Sequence, residues 1–305
     1  MITFEVRGNY LEFSSGRISG STAVYALIGD PIDHSLSPKI QNVAFRSTEI
    51  NAVYVPLHVT RRNLRDAVKG LRASGVKGFN VTAPHKVTVQ PYLDMIEPSA
   101  DAIGSVNTVI NENGKLRGYN TDGVGALRAL KEVGVSPDGK SVLIFGAGGA
   151  SRAIAYTLAQ RASSIRLVNR TVAKSKQLVL RIRRKLHIEV EYASISDRML
   201  KDFVQQANIV VNASSMGMDG VSIPPIAAEW LSHDQCVFDI VYKPPHTKLL
   251  ELANLAGAKS VNGLDMLVNQ GACAFELWTG RRAPIIEMRR AMSQTILAME
   301  HAKSS

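Results

Sequence analysis

The chain has 305 residues, enough for two domains with cores of ordinary size. Hydrophobic residues make up 45% and charged residues 20%, a globular composition, and no apolar run approaches the roughly 18–20 residues of a membrane span. Lys and Arg outnumber Asp and Glu by 36 to 26; the basic residues are dispersed, which speaks against a nucleic-acid surface and leaves a small anionic ligand open.

The N-terminus, MITFEVRGNYLEFSSGR, lacks the apolar core of a signal peptide. Only Cys236 and Cys273 occur, both in apolar contexts, so a disulfide framework is not expected and a reducing, cytoplasmic setting fits.

The segment AVYALIG (23–29) predicts a strand, and SPKIQNVAFRSTEI (37–50) a helix opened by Ser37 as N-cap and Pro38 at the first helical position. AVYVPLHV predicts a second strand, RNLRDAVKGLRAS a second helix and GVKGFNVTA a third strand, followed by helical pieces around 85–104. VNTVINENGKLRGYN predicts a hairpin turning at Asn113-Gly114. Such alternation argues for an α/β domain with a mainly parallel sheet. A second unit opens with a helix over 120–134. It continues as strand, glycine turn, helix and strand through GKSVLIFGAGGASRAIAYTLAQRASSIRLVNRT. The densest basic run, RIRRKLH (181–187), reads as a solvated helix face. Further strands are predicted at 207–214, 236–241 and 258–263, then two helices separated by TGRRAP.

The turn GAGGAS places Gly146 and Gly148 between a buried-type strand and an amphipathic helix. A side chain at Gly146 would obstruct the tight turn. One at Gly148 would keep the backbone from a pyrophosphate, which the free N–H groups of a helix N-terminus attract. Ser151 stands where a third glycine is usual and still permits close helix–strand packing. At the end of the second strand, where an Asp or Glu takes ribose hydroxyls in NAD-binding units, the sequence is VNRTVAKSK. An acid there would repel a 2′-phosphate. Arg170 can fork around one, Asn169 and Thr171 can donate hydrogen bonds, and Lys174 adds a cation one turn later. Two such charge-assisted bonds favour NADP over NAD by a factor on the order of a hundred.

Four polar clusters precede that unit: GDPIDHSLSP (29–38), GFNVTAPHK (78–86), GSVNTV (104–109) and YNTDG (119–123). Each has a plain structural reading, with Ser37 and Asp122 as helix caps, Asn80 and Asn107 as turn formers and Lys86 as a surface cation. Together they resemble the motifs of the shikimate dehydrogenase family, a likeness running from about Tyr25 to Gly280. The family's S-x-S falls on Ser35 and Ser37, its N-V-T-x-P-x-K on Asn80 to Lys86, its V-N-T on Val106 to Thr108 and its N-T-D-G on Asn120 to Gly123. DIVYKPPHTKLL carries its tyrosine, here Tyr242, and NGLDMLVNQGACAFELWTG (262–280) resembles its C-terminal signature, including Gln270. Ala83, Ser105 and Lys243 depart from the commonest family pattern.

The resemblance implies a two-domain α/β fold. An N-terminal α/β substrate domain over 1–121 would be completed by C-terminal helices over 263–305. A Rossmann-like NADP-binding domain, a doubly wound parallel sheet, would span 122–262, and the active-site cleft would lie between the two. It implies the reversible reduction of 3-dehydroshikimate to shikimate with NADPH, a step of the shikimate pathway of aromatic amino-acid synthesis. Hydride transfer to a ketone puts negative charge on oxygen, which a proton donor or fixed cation must meet. Lys86 is the family's catalytic position, with Asp122 as its partner. Ser35, Ser37 and Tyr242 are implied around the substrate carboxylate, and Thr82, Asn107, Asp122 and Gln270 around the ring hydroxyls. Gly146, Ala147, Gly148, Gly149, Ala150, Asn169, Arg170, Thr171, Lys174 and Gly263 are implied at the cofactor. No metal, nucleic acid or membrane is expected, and monomer and homodimer both remain open. The rivals are a quinate/shikimate dehydrogenase of broader specificity and a catalytically silent, ligand-sensing protein on the same scaffold. Residues 1–22 lie outside the resemblance and are read as an extra strand or an oligomer contact.

Overall fold

Two six-stranded sheets organise residues 18–304, which are those described in this computed structural model, with side chains described through residue 296. The reading of the extreme N-terminus as an added strand or contact falls on residues 1–17, outside the described residues.

The first sheet holds β1 (Ala23–Gly29), β2 (Ala52–His58), β3 (Gly78–Val81), β4 (Met95–Ile96), β5 (Thr108–Glu112) and β6 (Lys115–Tyr119), in the order β2-β1-β3-β5-β6-β4. Helices α1 (Ser37–Ser47), α2 (Leu64–Ala73) and α3 (Pro98–Ile103) connect them. In β1, Tyr25 and Leu27 enter the core shared with α1, while Ala26 and Ile28 enter the opposite core with α2. Burial on both faces is why the strand reads as a nearly unbroken apolar run. The sheet is mixed rather than mainly parallel: β1 pairs with β2 and β3 in parallel, but β5 is antiparallel to both β3 and β6. The β5–β6 pair comes from the predicted hairpin, whose Asn113 (φ 53°) and Gly114 (φ 88°) make a two-residue turn with both φ values positive.

Several local expectations shift. Ser37 is not a cap: Leu36 holds the N-cap position of α1, Ser37 and Pro38 begin the helix, and it ends at Ser47, short of 50. A short 3-10 turn over Arg61–Asn63 precedes α2, and β4 lies inside the stretch expected to be helical.

The second unit carries α4 (Asp122–Glu132), β7 (Ser141–Phe145), α5 (Gly149–Ala159), β8 (Ser164–Asn169), α6 (Val172–Lys185), β9 (Glu189–Ser194), α7 (Leu200–Gln206), β10 (Ile209–Asn212), β11 (Cys236–Asp239), α8 (Lys248–Leu255) and β12 (Lys259–Val261). Its strands run in the order β12-β11-β10-β7-β8-β9, all parallel. This is a doubly wound sheet whose connections reverse direction between β7 and β10, the place where such sheets bind ligands. Val142 and Ile144 of β7 pack with α4, α5 and α6, whereas Leu143 and Phe145 pack with α7 and α8. The basic run is only partly a solvated face. Arg183 donates to the Val190 carbonyl, and Arg181 donates to the Ala102 carbonyl at 2.8 Å and to the Asp101 carbonyl, reaching α3 of the first unit.

The chain then returns. Helices α9 (Gly263–Thr279) and α10 (Ile285–Ser304) pack on the first sheet, with Val268, Ala272, Phe275, Met288 and Met292 in one core with Tyr25, Leu27, Ile40 and Phe45. Phe45 stacks on Tyr25 at 5.0 Å and meets Phe275 at 5.5 Å, and the Trp278 indole donates to the Val109 carbonyl over Gly78. Buried side chains of this size contribute about 1.5–3 kcal/mol each, so α9 belongs energetically to the first sheet, far from it in sequence.

Candidate active site

Lys86 follows β3 in a tight turn. Its carbonyl accepts from the Val106 N–H at 2.8 Å, which fixes the main chain beneath it. Its Nζ donates to Asp122 Oδ2 at 2.6 Å, and the two side chains are only 16% and 4% exposed. Breaking so buried a pair by removing one partner is costly, because the other charge stays desolvated. Asp122 opens α4, where a negative charge suits the helix N-terminus.

The second oxygen of Asp122 is taken as well: Oδ1 accepts from Asn107 Nδ2 at 2.9 Å. The Asn107 amide has one defensible orientation, since its Oδ1 accepts the Thr121 backbone N–H at 2.8 Å. Nδ2 therefore faces Asp122, Thr121 Oγ1 at 2.9 Å and Gln270 Oε1 at 3.3 Å. Gln270 arrives on α9 and is held by donating to the Leu267 carbonyl. Four predicted residues, Lys86, Asn107, Asp122 and Gln270, thus form one hydrogen-bonded group drawn from four separate stretches of chain.

Ser35, Thr82 and Tyr242 stand on the turns after β1, β3 and β11, Ser37 opens α1, and all four are outside that group. Ser35 Oγ accepts the Ser37 N–H at 3.3 Å, and the Thr82 N–H donates to the Ile28 carbonyl. Tyr242 reaches from the second unit to pack against the core of the first, and burial pushes its phenol above the usual range.

Two participants lie outside the predicted set. Thr121 is buried, and its hydroxyl sits between Asn107 and Gln270; its place inside N-T-D-G was the available signal. Asp239, fully buried at the end of β11, accepts from Asn212 Nδ2 (2.9 Å), the Val241 N–H (3.0 Å) and Thr247 Oγ1 (2.7 Å). Burial raises its carboxyl pKa, and those three donors oppose the rise. It ties the loop after β10 to the segment carrying Tyr242. Nothing in DIVYKPP marks such a tie. Asn80, read as a turn former, lies instead in β3, accepting from the Tyr54 hydroxyl and donating to Thr108 Oγ1.

At the switch point of the second sheet, Gly146 has φ 114°, and a Cβ there would meet the Ala213 carbonyl at 2.7 Å. Ser151 Oγ donates to the Gly146 carbonyl at 2.7 Å and closes the turn. Gly148 is the N-cap of α5, so no side chain takes the first-turn N–H groups, and a Cβ on it would meet nothing within 4 Å. Ala147 is buried, and Ala150 sits in the first turn of the helix. Open space beside free N–H groups at a helix N-terminus fits a pyrophosphate.

At the end of β8, Asn169 Nδ2 donates to the Thr171 carbonyl, so this amide braces the loop. Arg170, Thr171 and Lys174 are exposed, and neither cation forms an ion pair among the described residues, which fits a 2′-phosphate. Gly263 is placed by packing, because any Cβ would collide with the Ile240 carbonyl. Among the described residues no group of three or more His, Cys, Asp or Glu is placed to hold a metal ion, and no helix is long and apolar enough to cross a membrane.

Known proteins resemble this chain over most of its length. Residues 27–109 match the shikimate dehydrogenase substrate binding domain, 128–220 the shikimate/quinate 5-dehydrogenase family and 263–292 the shikimate 5′-dehydrogenase C-terminal domain. A shikimate dehydrogenase (NADP+) of Moorella thermoacetica is 43% identical over 283 residues, 92% of this chain and 96% of the relative. A solved shikimate dehydrogenase in complex with NADP+ superposes with a TM-score of 0.85 at 41% identity, covering 92% of this chain and 97% of its own. The shikimate 5-dehydrogenase of Listeria monocytogenes, in complex with shikimate and NAD, gives 0.84 at 38% identity, covering 90% and 98%.

Proposed function

The chain belongs to the shikimate dehydrogenase family, and from that premise we propose how its residues carry out the reversible NADPH-dependent reduction of 3-dehydroshikimate to shikimate. The observation that supports this most is the Lys86–Asp122–Asn107–Gln270 group, buried, mutually satisfied and adjoining a nucleotide turn. The substrate unit is residues 1–121 completed by 263–305, and the NADP unit is 122–262.

Gly146 to Ala150 and Gly263 would hold NADPH, with Asn169, Arg170, Thr171 and Lys174 taking its 2′-phosphate, and the bound cofactor would supply the hydride. Lys86 meets the negative charge that develops on the carbonyl oxygen. Asp122 orients the lysine and accepts from a ring hydroxyl. Asn107 and Gln270, whose amides are locked in place, set the positions of the remaining hydroxyls together with Thr82. Ser35, Ser37 and Tyr242, from opposite sides of the cleft, receive the ring carboxylate. The product belongs to the shikimate pathway of aromatic amino-acid synthesis. No step requires a second copy of the chain, so a monomer and a homodimer serve equally. A cytoplasmic setting agrees with two free thiols.

The absence of an acid at the end of β8 and the free cations there favour NADP over NAD, and so disfavour an NAD-linked quinate enzyme. The test is initial-rate oxidation in four combinations, NADP+ or NAD+ with shikimate or quinate. The shikimate–NADP+ pair should dominate. Comparable quinate rates would mean broader specificity, and no reduction in any combination would mean a ligand sensor.

A further inference from the structure

The three glycines of the nucleotide turn answer to different neighbours, and only one of them faces open space. A Cβ on Gly146 would strike the backbone after β10, and one on Gly148 would meet nothing within 4 Å. A Cβ on Gly149 would lie 2.9 Å from Lys86 Cβ, 3.1 Å from Lys86 Cδ and 3.2 Å from Ser105 Oγ. The missing side chain at Gly149 therefore makes room for the lysine of the other unit.

We propose that Gly149 is a positioning residue for Lys86: the nucleotide turn seats the catalytic lysine by pressing a bare Cα against its side chain from Cβ to Cδ. The proposal rests on the assignment of Lys86 as the residue that meets the carbonyl oxygen. Lys86 is pinned at both ends, by the Val106 N–H on its carbonyl at 2.8 Å and by Asp122 on its ammonium at 2.6 Å. Only the stem between them can yield, and there Gly149 is the neighbour. Ser105 closes the other side: it is fully buried, its hydroxyl has no hydrogen-bond partner, and the next residue is the Val106 that holds the lysine backbone. A methyl group at 149 has no void to enter, and contacts this short force a neighbour to move. The neighbour able to move is the stem, and moving it draws Nζ off Asp122. The seam also makes the lysine geometry depend on the two units being closed upon each other, because Gly149 opens α5 of one unit and Lys86 follows β3 of the other.

The test compares Gly149→Ala with Gly148→Ala in the full-length enzyme, with NADPH Kd from fluorescence titration and turnover at saturating NADP+ and shikimate. Gly149→Ala should lower kcat at least tenfold while its NADPH Kd stays within about threefold of the parent. Gly148→Ala should raise the NADPH Kd at least tenfold. If Gly149→Ala raises the Kd as Gly148→Ala does and keeps its kcat, Gly149 is a phosphate-approach glycine and the proposal fails. Should Gly149→Ala alone not fold, Lys86→Gly/Gly149→Ala should fold, since both the Cβ and the stem it collides with have gone; failure of that double variant to fold also overturns the proposal. Inactivity of the parent enzyme towards shikimate would instead overturn the functional reading.

Discussion

Asn107→Asp tests the central network because it exchanges one atom and keeps the shape. In the parent, Asn107 Nδ2 donates to Asp122 Oδ1 at 2.9 Å, deep inside the protein. The variant sets a carboxylate oxygen against a carboxylate oxygen at that separation, a repulsion of about 6 kcal/mol at an effective dielectric of about 20. The Lys86 ammonium on the far side of Asp122 offsets part of this, which leaves a penalty on the order of 2–3 kcal/mol and holds the introduced carboxyl above its ordinary range. A native pKa above the unfolded value of about 3.9 means that the folded state binds more protons between the two. The added penalty is then absent below about pH 4 and grows as the pH rises through the native value. Urea midpoints of parent and variant, measured from pH 4.5 to 8, should diverge with rising pH to a gap of about 2–3 kcal/mol. Asn107→Ala, which removes the hydrogen bonds without adding charge, should show a gap that does not vary with pH. A constant gap for Asn107→Asp would mean that position 107 does not face Asp122, and the geometry assigned to the site would be wrong.

Lys86→Ala should leave NADPH and shikimate binding within a few-fold while turnover falls by about 10²–10⁴, the usual contribution of a positioned proton donor, read by equilibrium titration beside initial rates; unchanged turnover would remove Lys86 from the mechanism. Arg170→Ala should raise the KM for NADPH about tenfold or more and leave that for NADH nearly as it was, and an equal effect on both would refute the 2′-phosphate assignment. Burial pushes the Cys236 thiol up to about 12 and raises that of Cys273, so a thiol reagent at pH 8 should label the native protein slowly and two equivalents should react promptly in denaturant. Since the native Cys236 thiol keeps its proton beyond the unfolded pKa of about 8.5, stability should also decline as pH rises above about 9, a trend that a cysteine-to-alanine variant would weaken.

The fold was legible where local chemistry and tertiary demand coincide. VLIF before GAGG, the apolar β1 and the Asn113-Gly114 turn each carry a signal strong enough to stand alone, and each forms as read. The segments read less well are those whose apolar faces are sparse. In α6, Leu178, Val179 and Ile182 supply the buried face among six Lys and Arg residues that extend the helix to Lys185. In β9, the edge strand EVEYAS shows its alternation only beside β8, where Glu191 meets Arg166. The mixed character of the first sheet followed from the hairpin itself, since a two-residue turn reverses the chain and cannot make a parallel crossover.

The site divides along a similar line. Lys86, Asn107 and Asp122 were legible because polar residues cluster at strand ends in a chain that otherwise buries apolar ones. Gln270 and Tyr242 were legible only through resemblance, because no spacing rule connects them with partners roughly 150 to 200 positions away. Thr121 and Asp239 escaped because their work is to orient others through hydrogen bonds that exist only after folding. The glycine turn is the sharpest instance. Read as letters, GAGG concerns a phosphate. In three dimensions Gly146 yields to the strand beside it and Gly148 borders open space. Gly149 yields to a lysine sixty-three positions earlier, so the motif records the neighbouring unit as well as the ligand.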